Sequence, residues 1–144
     1  MKTILHAVHI HAAPPTVYDA LTTTKGLTSW WTTKGAPIDD AGVIHFTFGG
    51  DFNPLMKQTT LDRPRLVRWT CVGGHANWQD NTFSFALTER KGETLLQFVQ
   101  EYAQELSDEV YGTYNFNWGY YLNSLKQLCE KGAGAPFTPP SRFP

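Results

Sequence analysis

The sequence predicts an α+β domain: an antiparallel sheet of about six or seven strands closed by one long C-terminal helix, with two short helices after the first strand. Two observations carry this. From Thr3 to Gln100, bulky residues alternate with small or polar ones in short runs separated by turn-forming residues, the two-residue period of half-buried strands. From Val110 to Lys131 the period lengthens. Tyr114, Trp118, Tyr121, Leu122, Leu125, Leu128 and Cys129 recur at spacings of three and four, which places them on one helical face. Asn115, Asn117, Asn123, Lys126, Gln127 and Glu130 fill most of the opposite side, and Lys131-Gly132 reads as a basic last turn with a glycine stop. Strands with one apolar face need a cover, and this helix provides it.

Taken in order, Thr3 to His11 is the first strand, with Ile4, His6, Val8 and Ile10 on its bulkier face. Ala13-Pro14-Pro15 ends it, and Pro15 suits a first helical turn, where its missing N–H costs nothing. A short helix runs from Thr16 to Leu21. Thr22-Thr23-Thr24 breaks it, and Gly26 reopens the chain before a second short helix, Leu27 to Trp31. Gly35 to Gly42 is a loop. Ile44, Phe46 and Phe48 alternate in a second strand ended by Gly49-Gly50-Asp51, and Leu55 to Leu61 is a strand of poor periodicity. After the turn at Asp62-Arg63-Pro64-Arg65, Val67, Trp69 and Cys71 face one way. Phe83, Phe85 and Leu87 repeat the pattern, Glu89-Arg90-Lys91-Gly92 is a hairpin turn, and Leu96, Phe98 and Gln100 continue the inward set. Short turns between neighbours imply an antiparallel meander.

At 144 residues and 16.2 kDa the chain matches one domain, read here as residues 1–132 followed by a Pro-rich tail, 133–144. The tail either packs through Phe137 or Phe143 or is mobile. A net charge of −1 offers no field to draw nucleic acid or an anionic membrane surface. No signal peptide or membrane span is read, and Cys71 and Cys129 suit a reducing, cytoplasmic setting. Aromatic content is 14%, with five Trp and nine Phe, which calls for an aromatic core or an aromatic-lined cavity.

Three stretches carry a family resemblance. Ile10 to Leu21 with Gly26-Leu27-Thr28-Ser29-Trp30-Trp31-Thr32 resembles the opening signature of the activator of Hsp 90 ATPase homologue-like family. Leu61-Asp62-Arg63-Pro64-Arg65-Leu66-Val67-Arg68-Trp69 resembles its middle strand pair, and Phe116-Asn117-Trp118-Gly119-Tyr120-Tyr121-Leu122 the start of its last helix. The similarity spans roughly Ile4 to Lys131. It implies the helix-grip fold of the START-like (polyketide cyclase, Bet v-like, SRPBCC) superfamily, in which a curved sheet wraps the terminal helix around a cavity for a hydrophobic ligand. The co-chaperone that names the family resembles this chain only in its second domain, so direct stimulation of the chaperone ATPase is not expected. Fold alone does not fix function.

The expected ligand-binding residues are Trp30, Trp31, Phe46, Trp69, Cys71, Phe83, Phe85, Phe98, Gln100, Tyr114, Trp118 and Tyr121. Neighbours on a helix point about 100° apart, so of Trp30 and Trp31 one should enter the core while the other lies near its edge. Either one ring lines the cavity mouth or both seal the helix against the sheet. The remaining rings should converge between sheet and helix, as an open pocket or as a dry core filled by its own side chains. His9 and His11 share a strand face that His6 does not, so they form no three-ligand metal site, and no metal or cofactor is expected. Cys71 with His75 lacks an oxyanion hole, and the acidic groups Asp39-Asp40 and Glu101, Glu105, Asp108, Glu109 read as solvated. The expected function is therefore non-enzymatic binding of a small hydrophobic, lipid or polyketide-like molecule. A cyclase- or hydrolase-like enzyme and a stress- or chaperone-associated interaction module are the alternatives.

Overall fold

A computed structural model of the chain describes residues 2–138. Strand β1 (Thr3–Ile10) leads through helices α1 (Pro14–Thr22) and α2 (Thr24–Trp30) to β2 (Val43–His45), β3 (Leu55–Asp62), β4 (Leu66–Gly73), β5 (Thr82–Arg90), β6 (Glu93–Glu101) and the long helix α3 (Asp108–Lys131). The strands form one antiparallel sheet in the order β1-β6-β5-β4-β3-β2, a meander with the first strand added to its far edge. This is the helix-grip arrangement, and it has six strands.

Register places the inward parity residues side by side. Trp69 lies opposite Phe83, Phe83 opposite Gln100, Phe85 opposite Phe98, and each of these side chains is fully buried. Lys91 and Gly92 both adopt positive φ (55° and 81°), so the β5–β6 hairpin closes with a two-residue turn whose twist matches its strands. Helix α3 starts on Ser107, whose side chain accepts from Val110 N at 3.2 Å, and stops at Gly132 in the left-handed region.

Several local readings are corrected. The break expected at Thr22-Thr23-Thr24 narrows to Thr23, which is extended, ends α1 and caps α2 by accepting from Gly26 N at 3.0 Å, while Thr22 and Thr24 belong to the helices. Gly26 lies inside α2, where an added Cβ would stand 2.6 Å from the Ala20 backbone, so its role is close approach to α1. The second strand ends at His45. Phe46 N does bond Pro54 O at 3.2 Å, but Pro54 has no N–H to return, and the ladder stops while the alternation continues. Register shifts at Leu55/Met56 and Gln58/Thr60 explain the poor periodicity of β3. Beyond α3, Phe137 is buried: its N–H donates to Trp31 O at 2.7 Å and its carbonyl accepts from Thr33 N at 3.0 Å. Phe143 lies outside the described residues.

Candidate functional site

The interior is organised around two indoles. Trp31 stands within 4.5–6.2 Å, centroid to centroid, of Phe46, Phe48, Trp69, Trp78 and Trp118. Trp118, on the inward face of α3, reaches Phe98 at 4.3 Å and Phe83 and Phe85 at 6.0 and 6.4 Å, and its Nε1–H donates to Gln100 Oε1 at 2.8 Å. The sheet residues and α3 therefore do converge.

The expectation for Trp30 and Trp31 is corrected: both rings are buried and stacked at 5.7 Å. Trp31, the C-cap of α2, keeps a right-handed helical backbone and donates to Leu27 O, and α2 is enclosed on both sides, so neither ring is left at an edge. Trp30 seals α1 against α2 through Nε1–H to Ala20 O at 2.9 Å, while Trp31 reaches the cleft described next.

That cleft opens beside the N-terminal half of α3. Trp31, Tyr114, Trp118 and Tyr121 line it, as do three residues absent from the sequence-based set: Phe52, Trp78 and Asn117. Trp30, Phe46, Trp69, Cys71, Phe83, Phe85, Phe98 and Gln100 are buried outside this lining. The free volume is about 10 Å³, on the order of one water-sized sphere. In this conformation the protein's own rings fill the space, as in the dry-core alternative.

Its roof is the segment after β4, which contains a 3₁₀ turn, Ala76–Trp78. Trp78 packs on Phe52, Phe83 and Tyr114 at 5.1–5.3 Å. Polar contacts tie this roof down. His75 Nε2 meets the Tyr114 hydroxyl at 2.7 Å, Asn77 Nδ2 donates to the same oxygen at 3.3 Å, and Gln104 Nε2 donates to Ala76 O and Gln79 O. Burial lowers the His75 pKa, against the pull of Asp51, which favours the neutral ring. With its other ring nitrogen donating to the Asp51 carbonyl, the neutral ring leaves Nε2 to accept the Tyr114 proton. Burial likewise raises Tyr114 and pushes Tyr121 up to about 12, so both remain neutral phenols at pH 7. The cleft is thus aromatic, uncharged, and edged by amides and hydroxyls.

The other polar candidates have partners of their own. His75 is engaged by Tyr114, and Cys71 is fully buried with its S–H directed at Gly73 O, 3.3 Å away. Burial raises the Cys71 thiol pKa, so no nucleophile–base pair forms there. His6 bonds Asn115 on α3, whereas His11 and His45 pair with Glu93 and Asp39. Among the described residues no group of three or more His, Cys, Asp or Glu is placed to hold a metal ion, and no helix is long and apolar enough to cross a membrane.

Three solved structures show what the chain is similar to. The Aha1 protein of Colwellia psychrerythraea, solved in solution as a dimer, is 34% identical, with a TM-score of 0.80 and 93% of this chain covering 100% of that one. A conserved protein of unknown function from Enterococcus faecalis is 25% identical (TM-score 0.71; 93% of this chain, 74% of that one). CalU16 from Micromonospora echinospora, at 17% identity and TM-score 0.70 (92% and 76%), shares the fold. No curated protein matches. The family described as Activator of Hsp90 ATPase homolog 1-like protein matches residues 11–130. With that match over most of its length and a relative aligned end to end, the chain belongs to the Activator of Hsp90 ATPase homolog 1-like family.

Proposed function

We propose that this protein binds a small hydrophobic or aromatic molecule between α3 and the sheet, entering beneath the roof formed by residues 74–81. The observation that carries this reading is the construction of the cleft. Neutral aromatic side chains line it, and a short irregular segment, tethered to α3 by His75 and Asn77 on one tyrosine oxygen, covers it. Rings supply affinity by burial, and the edge amides and hydroxyls orient polar atoms of the ligand. Because the closed state has room for little more than a water, binding requires the roof to lift. Apparent affinity is then reduced by the fraction of molecules that are open.

Tyr114→Phe tests this. It removes the oxygen that both His75 and Asn77 hold while keeping the ring. We expect saturable binding of a fatty-acid methyl ester, a flavonoid or an anthraquinone, followed by tryptophan fluorescence, with apparent affinity in the variant roughly threefold to tenfold tighter. Absence of binding by all three classes to both proteins would remove the proposal. Equal affinities would leave a ligand site without a latched roof.

A further inference from the structure

Beneath the cleft, three buried side chains end in unpartnered polar atoms: Gln100 Nε2, Trp78 Nε1 and the Tyr102 hydroxyl. Their exposures are 0%, 2% and 3%, so water outside the fold does not satisfy them. They belong to one locality. Gln100 lies opposite Phe83 in the sheet and accepts from Trp118, and Trp78 packs on both of those rings, at 5.1 and 6.0 Å. The N–H groups of Trp78 and Gln100 act on the Tyr102 phenol, yet neither reaches hydrogen-bond geometry with it.

The orientation of Gln100 follows from its partner. An indole N–H only donates, so the atom facing Trp118 must be the amide oxygen, which leaves the NH₂ end directed elsewhere. Burial raises the Tyr102 pKa, keeping the phenol protonated at neutral pH. The group then holds four protons, one indole, two amide and one phenol, against the Tyr102 oxygen and the lone pair of Gln100 Oε1 that Trp118 does not use, so donors outnumber acceptors. Buried polar groups are rarely left unpaired, and here the missing partner must be an acceptor.

Resting on the ligand-binding reading above, we propose that Gln100, Trp78 and Tyr102 form a donor cluster that receives a neutral carbonyl oxygen of the ligand. A ketone, quinone, ester or amide fits this. A carboxylate would bring a full charge into the interior with no cation among the three groups to balance it. The ligand accordingly enters with its oxygen toward the end of β6 and its apolar body toward Trp31 and Trp118.

Two probes of nearly equal shape test this: 2-acetylnaphthalene, which carries the acceptor, and 2-isopropylnaphthalene, which does not. Wild type is expected to bind the ketone about tenfold more tightly than the hydrocarbon. Tyr102→Phe should weaken ketone binding several-fold while leaving the hydrocarbon unchanged, a selective loss that a general weakening of the fold would not give, with urea unfolding used to confirm that the variant is folded. Trp78→Phe, which keeps a ring, should reduce the ketone preference in the same way. Equal affinity of wild type for both probes, or a ketone preference untouched by both variants, would overturn the donor cluster while ligand binding stands. The natural acceptor would then be a resident water. No binding of either probe would overturn both.

Discussion

Replacing Trp118 by alanine is expected to cost about 4–8 kcal/mol of folding stability, measured by urea denaturation against wild type. Truncating a buried tryptophan typically costs about 3–5 kcal/mol, because the surrounding rings relax only partly into the void. Here the void would border Trp31, Trp78, Phe83, Phe85 and Phe98. The same change leaves Gln100 Oε1 buried without its donor, a further cost on the order of 1–3 kcal/mol. Domains of this size are stable by about 5–15 kcal/mol, so the variant should be partly unfolded at 37 °C. Trp118→Phe separates the two contributions, since it retains most ring contact and loses only the indole donor. It should cost about 1–3 kcal/mol. From sequence, Trp118→Ala reads as a change that harms binding more than folding. The contacts in the structure make it a folding variant first, and the polar cleft residues become the better probes of binding.

Gly74→Ala should be the most damaging single change in the roof, at about 2–4 kcal/mol. Gly74 has φ +80°, and an added Cβ would lie 1.9 Å from Asn53 O and 2.8 Å from Asn53 C. Those atoms are backbone, and Asn53 N donates to Gly74 O at 3.1 Å, so relief of the clash breaks that hydrogen bond. The damage spreads to the site, because the neighbouring Phe52 ring packs against His75 at 4.6 Å and Trp78 at 5.1 Å. Gly92→Ala is the matched control. It has nearly the same φ, +81°, with nothing within 4 Å of the new Cβ, and should cost only about 1 kcal/mol of left-handed strain. Thermal or urea unfolding of both variants checks the contrast. Equal losses would show that backbone strain alone, and not the contact with Asn53, governs this position.

Much of the core was legible because its residues sit on regular elements. Once β4, β5 and β6 pair, parity alone brings Trp69, Phe83, Phe85, Phe98 and Gln100 to one surface, and the three–four spacing of α3 turns Tyr114, Trp118 and Tyr121 toward it. The cleft was less legible because its walls are irregular. Trp78 lies in a turn between strands and Phe52 in a loop, where no period assigns a side chain to a face. Asn117 was hidden by its polarity. It stands three residues after Tyr114 and four before Tyr121, in the same stripe, and spacing without regard to chemistry would have found it. Ser124 was missed for the same reason. It is buried, donates to Trp30 O at 2.8 Å and accepts from Ala135 N at 2.7 Å, fixing the chain beyond α3 against α2. The error at Trp30 and Trp31 has a different origin. The angle between neighbours was sound, but α1 covers Trp30 while the sheet and α3 cover Trp31, an enclosure that spacing along α2 does not show. The filled interior was not readable at all, since rings that line a pocket and rings that close one have the same pattern in sequence.

The most direct test of the account is a two-dimensional amide NMR titration of the full chain, following the five tryptophan indole N–H signals while the fatty-acid methyl ester, flavonoid and anthraquinone are added in turn. Saturable shifts are expected at Trp31, Trp78 and Trp118, which line the cleft, with Trp30 unmoved because its N–H is held by Ala20 O outside it. A well-dispersed spectrum in which none of these signals moves with any ligand would contradict the account, and would identify the aromatic interior as a packed core.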